Sequence, residues 1–147
     1  MAILALIPFD PYSELEGLMR GRSDAGALAS FIGYVRDSAN SVSSLRLDHY
    51  PAFTQRVLDE IESDCKTRFD VFATLVIHRA GELEPGEPIV LVAAVSLHRK
   101  AALACVDYLM DRLKTEAPFW KQEIGPNTSQ WIEPREEDHQ ARKNWDS

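Results

Sequence analysis

The chain has 147 residues, 45% of them hydrophobic, enough to bury one core and too few for two ordinary domains. Its 16 lysines and arginines stand against 23 aspartates and glutamates, a net charge of −7 that argues against a nucleic-acid backbone as partner. Any anion it binds has to be met by a local cluster of cations. No apolar run approaches the ~20 residues of a membrane helix. The opening MAILALIPFDPYSE has a short apolar run with no basic segment before it, so it reads as a first strand rather than a secretion signal.

In chain order, a strand over Ala2 to Ile7 leads into DPYSELEGLMRG, where a proline, early acidic residues and a closing glycine suit a short helix. Ala25 to Arg36 is rich in small, aromatic and β-branched residues and reads as a long strand, with Gly33 a point of close approach. DSANSVSS is a loop, and LRLDHY alternates as a strand ended by Pro51. Phe53, Val57, Ile61, Cys65 and Phe69 recur at steps of four opposite Asp59, Glu60 and Glu62, which predicts an amphipathic helix.

VFATLVIHRA and IVLVAAVSL are two strand-like runs joined by GELEPGEP, read as a turn or tight loop. A third helix covers about Arg99 to Glu116, burying Ala102, Val106, Leu109, Met110 and Leu113, and Pro118 ends it. FWKQEI and QWIE then form two short strands around GPNTS. The order of elements predicts a single α+β domain over residues 1–147, with a mostly antiparallel or mixed sheet and about three helices. Cys65 and Cys105 lie in two of those helices with no C-x-x-C or Cys/His spacing. We read them as buried, unpaired thiols, which favours a reducing cytoplasm.

Candidate chemistry centres on LKTEAPFWKQE, where Lys114 and Lys121 flank a proline and two aromatics. Lys114 in the last helical turn meets the helix dipole favourably, so a capping role and a reactive role both fit its position. Lys121 is equally an exposed strand lysine or a member of a cationic site. His98, Arg99 and Lys100 sit at the start of the same helix, where positive charge opposes the dipole unless an anion is bound there. Arg36 ends an apolar strand. His49 and His78 read as satisfied, partly buried histidines, and no pair has metal-ligand spacing. Phosphate-loop, dinucleotide and nucleophile-elbow motifs are absent from the sequence. The residues alone describe an α+β domain that binds a small anion, with a lysine activated by neighbouring cations.

The blocks GALASFIGYVR, LDHYPAFT, VIHRAGELEPGE, VSLHRKAA, YLMDRLKTEAPFWKQE and WIEPREEDHQARKNW, in this order, resemble the catalytic large subunit of molybdopterin synthase from about Gly26 to Trp145. The resemblance implies that family's fold and a sulfurtransferase reaction. Cyclic pyranopterin monophosphate (precursor Z) becomes molybdopterin by gaining two sulfurs from the Gly-Gly thiocarboxylate tail of a small ubiquitin-like subunit. It implies a dimer of large subunits within a heterotetramer, a cytoplasmic setting, and no metal or cofactor.

Carried over residue by residue, the resemblance makes Lys114 and Lys121 the catalytic pair, Lys114 foremost, and Arg36, His98, Arg99 and Arg135 substrate-binding. Tyr34, Val35, Gln122 and Glu123 are implied to line the same pocket. Two departures stand out, Tyr34 where a lysine is frequent and Gln122 where a basic residue is common. Both remove positive charge, bearing on phosphate binding but not on reaction type. The loop from Asp37 to Ser43 is shorter than the family's usual one. A non-catalytic docking module for a ubiquitin-like sulfur carrier is the alternative; the retained set Arg36, His98, Arg99, Lys114 and Lys121 speaks against it.

Overall fold

A computed structural model of the chain describes residues 1–37, 44–50, 52–125 and 129–146, apart from the side chains of residues 130 and 131. Most of the loop Asp37 to Ser43, the strand-ending Pro51 and most of the GPNTS turn lie outside the described residues.

The helices are α1 (Pro11–Met19), α2 (Phe53–Arg68), α3 (Arg99–Glu116) and α4 (Glu136–Asn144). The strands are β1 (Ala2–Ala5), β2 (Ala27–Tyr34), β3 (Ser44–His49), β4 (Ala73–Arg79), β5 (Gly81–Leu83), β6 (Pro88–Ser96), β7 (Phe119–Ile124) and β8 (Ser129–Ile132). They form two four-stranded sheets in the orders β1-β4-β6-β2 and β5-β3-β7-β8. Among the described strands only the β1–β4 pair is parallel. This is the α+β architecture expected, with a mixed sheet and an antiparallel one.

β6 is buried from Val90 to Ser96, as a central strand covered on both faces should be. On one face α2 and α3 pack Leu58, Ile61, Leu109 and Leu113 against Val76, Val92 and Ala94. On the other, Phe9, Leu15 and Leu18 cover Leu75, Ile77 and Leu91. The second sheet has its own small core of Val35, Leu45, Leu47 and Leu83. Among the described residues no helix is long and apolar enough to cross a membrane.

Four readings of the sequence need correction. The buried face of α2 is Thr54, Leu58, Ile61, Glu62 and Cys65, while Phe53 is 49% exposed. A strict step of four advances 400° on a helix of 100° per residue, so such a row drifts off the core over four turns. GELEPGEP holds a strand as well as turns. β5 pairs with β3 because Leu83 buries completely, while Gly81 and Gly86 supply the φ > 0 turns.

A fourth helix, α4, was not expected, because EEDHQARKN has no apolar stripe. Acidic residues in its first turn and basic ones in its last suit the dipole, and it docks through Arg142 on Glu116 (2.6 Å). The Trp145 Nε1 just after it donates to Asp111 (2.6 Å). Finally, Cys65 and Cys105 are joined as a disulfide rather than lying apart. Each sits on the buried stripe of its helix, and where α2 crosses α3 their Cα atoms come within 6.3 Å, inside disulfide range.

Gly26 holds the junction between β2 and the start of α3, where a Cβ would run into the carbonyl oxygen of Leu97. Gly26→Ala is expected to destabilise the fold by roughly 2 kcal/mol or more. Gly17, helical with open space around it, should gain about 0.5–1 kcal/mol on conversion to Ala. Urea denaturation of the two variants reads both signs.

Candidate active site

A cavity of about 610 Å³ opens between the two sheets, the end of α3 and the start of α4. Lys114 reaches it from the last turn of α3 and Lys121 from β7. Ala117 and Pro118 turn the chain between them, so the helix end and the strand start converge on one space. Arg36 enters from the end of β2 and Arg135 from the N-cap of α4. Tyr34 lines the same wall. A second cleft of about 440 Å³, bordered by Trp120 and His139, shares Phe119, Lys121, Ile132, Glu133 and Pro134 with the first. Lys121 thus stands at the meeting point of two openings.

Burial and the neighbouring Lys114 charge push the Lys121 ammonium down to about 8, with Asp138 opposing the shift. An amine titrating there is mostly protonated at pH 7, with about a tenth of it free, so both forms are within reach of a proton transfer. Lys114 is exposed on the cavity side, so its part in this pair is to hold Lys121 near neutrality. Acids are also present. Asp138, with Glu133 beside it, faces the cavity, and Arg135 is paired with Glu137 (2.6 Å) while its backbone N–H donates to Asp138.

Not every residue assigned to the pocket is in it. Val35 is 5% exposed and packs with Leu45, Leu47 and Leu83, a core residue of the second sheet. Gln122 and Glu123 line neither opening. Gln122 alternates with Lys121 and so lies on the opposite face of β7. His98 and Arg99 begin the 18-residue α3 whose end carries Lys114. At 1.5 Å per residue, about 22 Å separates Arg99 from Lys114 along the helix axis. No single copy of the chain brings these two ends together.

The sequence profile described as MoaE protein matches residues 7–116. The chain belongs to the MoaE family. A molybdopterin synthase catalytic subunit from Mesorhizobium japonicum is 43% identical over 141 residues, 95% of this chain and 89% of the relative. One from Vibrio cholerae is 44% identical over 140 residues, 94% and 93% of the two chains. Among solved structures, the MoaE protein of Burkholderia ambifaria MC40-6 superposes with a TM-score of 0.84 at 38% identity, covering 100% of this chain and 99% of that one. The molybdopterin synthase of Staphylococcus aureus gives 0.78 at 27%, covering 89% and 95%.

Of the two positions that the sequence reading singled out in this MoaE-family chain, Tyr34 falls on the cavity wall and Gln122 lies outside it. Sequence reasoning missed His78, which lies on the cavity wall, is 6% exposed and stacks on Phe119. It also missed Asp138, hidden in a segment whose helix was not foreseen.

Removing the Lys114 charge favours the charged form of its neighbour, so in Lys114→Met the Lys121 titration should rise from about 8 by roughly one pH unit. A pH titration of the lysine Cε resonances by carbon-13 NMR measures it. An unchanged midpoint means the two ammonium groups do not share the cavity.

Proposed function

We propose that the chain is the sulfur-inserting subunit of a molybdopterin synthase, converting cyclic pyranopterin monophosphate to molybdopterin with sulfur from the thiocarboxylate tail of a small ubiquitin-like partner. The observation that carries this reading is the convergence of Lys114 and Lys121 with Arg36 and Arg135 on one cavity, in a chain that is acidic overall. Such a cationic enclave suits a substrate with a phosphate and a donor ending in a thiocarboxylate.

The tail sulfur attacks a side-chain carbon of the pterin. A C–S bond forms as a C–O bond to that carbon breaks, and the departing oxygen takes a proton from Lys121, whose ammonium titrates near 8. Lys114, on the same cavity, stabilises the anion that develops. Sulfur now bridges the tail's acyl group and the pterin. Water adds to the acyl carbon, the acyl C–S bond breaks, sulfur remains on the pterin and the tail leaves as a carboxylate. A second loaded partner delivers sulfur to the adjacent carbon in the same way, and loss of the remaining oxygen there as water leaves the carbon–carbon double bond of the dithiolene. The smaller cleft that meets the cavity at Lys121 suits the entering Gly-Gly tail.

The distance between the two ends of α3 gives this reading a quaternary consequence. His98 and Arg99 serve the reaction when a second copy of the chain places its helix start against the first copy's cavity, as in a dimer of large subunits within a heterotetramer. A cytoplasmic setting goes with the reading, since a thiocarboxylate and a two-thiol product persist under reducing conditions. The Cys65–Cys105 pairing removes cysteine usage as support for it.

Mass spectrometry of a mixture of the chain, the thiocarboxylated partner and cyclic pyranopterin monophosphate should find the two-sulfur product only when all three are present. Lys114→Ala is expected to abolish product and keep the wild-type melting curve. Failure of the wild-type chain to form product with a loaded, bound partner overturns the reading in favour of a docking module. For the shared site, Lys114→Ala and Arg99→Ala chains, each inactive, should regain about a quarter of wild-type activity when mixed and allowed to exchange. Half the dimers are then mixed, with one intact site of two. No recovery means each site is built within one copy.

A further inference from the structure

His78 is a cavity residue whose chemistry the sulfur-transfer steps leave unused. It is the penultimate residue of β4, on the face that carries Thr74 and Val76, and its ring lies flat on Phe119, centroids 4.1 Å apart at an interplanar angle of 16°. Its Nδ1 is 2.8 Å from the carbonyl oxygen of Arg79. A carbonyl can only accept, so Nδ1 carries the hydrogen and Nε2 keeps a lone pair. The stack and the carbonyl fix the ring from two directions. Among the described residues nothing donates a hydrogen bond to Nε2, and the side chain lines the cavity.

Charged groups surround the ring. Lys121 lies on β7, two residues beyond the stacking Phe119 and so on the same strand face, and Lys114 on α3. Asp138 on α4 and, at the rim, Arg36, Glu133 and Arg135 complete the set. Burial first, and then the two lysines, push the imidazole down to about 4, so at physiological pH it is a neutral acceptor in a cavity otherwise furnished with ionised groups. A neutral lone pair repels phosphate and thiocarboxylate. It attracts N–H.

We propose that His78 Nε2 reads the heterocycle of the bound substrate, accepting a hydrogen bond from a ring N–H or amino group and so turning the anionic end of the ligand toward Arg36 and Arg135. The inference rests on the pterin reading above and adds to it a residue that fixes orientation. Nε2 lies open to the cavity rather than sealed in the core, and a ligand N–H that replaces solvent there makes a fixed hydrogen bond. A ligand without a donor at that place forgoes it, and this is how a hydrogen-bonding site discriminates between rings of similar shape.

The test is anaerobic equilibrium binding of cyclic pyranopterin monophosphate, and of inorganic phosphate as a ring-free probe, to the wild-type chain, His78→Phe and His78→Gln. His78→Phe keeps the stack but lacks the acceptor, so pterin affinity should fall about tenfold or more. Gln sets an oxygen near the place of Nε2 and should recover to within about threefold, while phosphate binds all three alike. Nitrogen-15 spectra of the wild-type imidazole should show Nδ1 protonated and Nε2 bare, with the Nε2 resonance moving when pterin is added. Equal pterin affinity in His78→Phe, or a protonated Nε2, overturns the assignment while leaving the synthase reading intact. A wild-type chain that binds phosphate but no pterin overturns both. Should His78→Phe fail to fold, the Nε2 response in the wild-type chain decides alone.

Discussion

The site depends on one buried guanidinium. Arg112, on the inner face of α3, donates to the Tyr108 hydroxyl (2.6 Å), to Asp64 on α2 (3.1 Å) and to Glu116 on the last turn of its own helix. Glu116 in turn receives Arg142 from α4. Three helices are thereby tied through Arg112 and the Glu116 carboxylate it shares with Arg142, and the partners of Arg112 outweigh its burial and hold it in the charged form. Removing one partner of such a buried network leaves an uncompensated charge, so it fixes geometry more than it adds stability. Lys114 lies between Arg112 and Glu116, and Asp138 on the helix that Glu116 anchors. The two sides of the cavity are held at a set separation by contacts outside it.

Within the cavity the same physics acts on each ionisable group with a different result. Low dielectric and like charges disfavour cations, so Lys121 is drawn down to about 8 and His78 is neutral over the whole working range. For Lys121 the displacement corresponds to on the order of 3 kcal/mol against the ammonium. Arg36 and Arg135 bring guanidinium groups to the same cavity. A single environment therefore gives its basic residues different characters: an amine poised near neutrality, a neutral acceptor and guanidinium groups. The opposed acid, Asp138, keeps the lysine from falling further.

The parts of the fold legible in the sequence were those whose signal is local. α3 runs from Arg99 to Glu116 as its apolar spacing and Pro118 indicate, and β6 matches its β-branched run. α4 and β5 were not legible because neither has a periodic apolar face. One is held by ion pairs and a tryptophan, the other by a single leucine among charges. The disulfide depends on how two helices cross, which no spacing within either records. At the site, the resemblance marked Lys114, Lys121, Arg36 and Arg135, all of which reach the cavity. It could not say that Val35 turns into the core, or that β-strand alternation takes Gln122 to the other face. His78 looked like any histidine in an apolar strand, and only the stack on Phe119 and the neighbouring lysines give it a chemical identity.

α3 carries cations at both ends, and the two placements have opposite electrostatic meaning. Lys114 sits where the helix carbonyls point and is stabilised by them. His98 and Arg99 sit where the free N–H groups point, with no side-chain cap on that end and no acidic residue in the first turn. A helix start that is both uncapped and positively charged is a poor arrangement in isolation, and the natural complement to it is an anion. The cavity at the other end of the helix is where an anionic substrate is expected, yet about 22 Å lies between. The conflict resolves without moving any residue if the helix start of one copy meets the cavity of another. Association then supplies an anion to a helix end that lacks one and completes a cationic site that is otherwise divided. On this view the second copy is part of the binding site, and dimerisation and substrate affinity are set by the same charges.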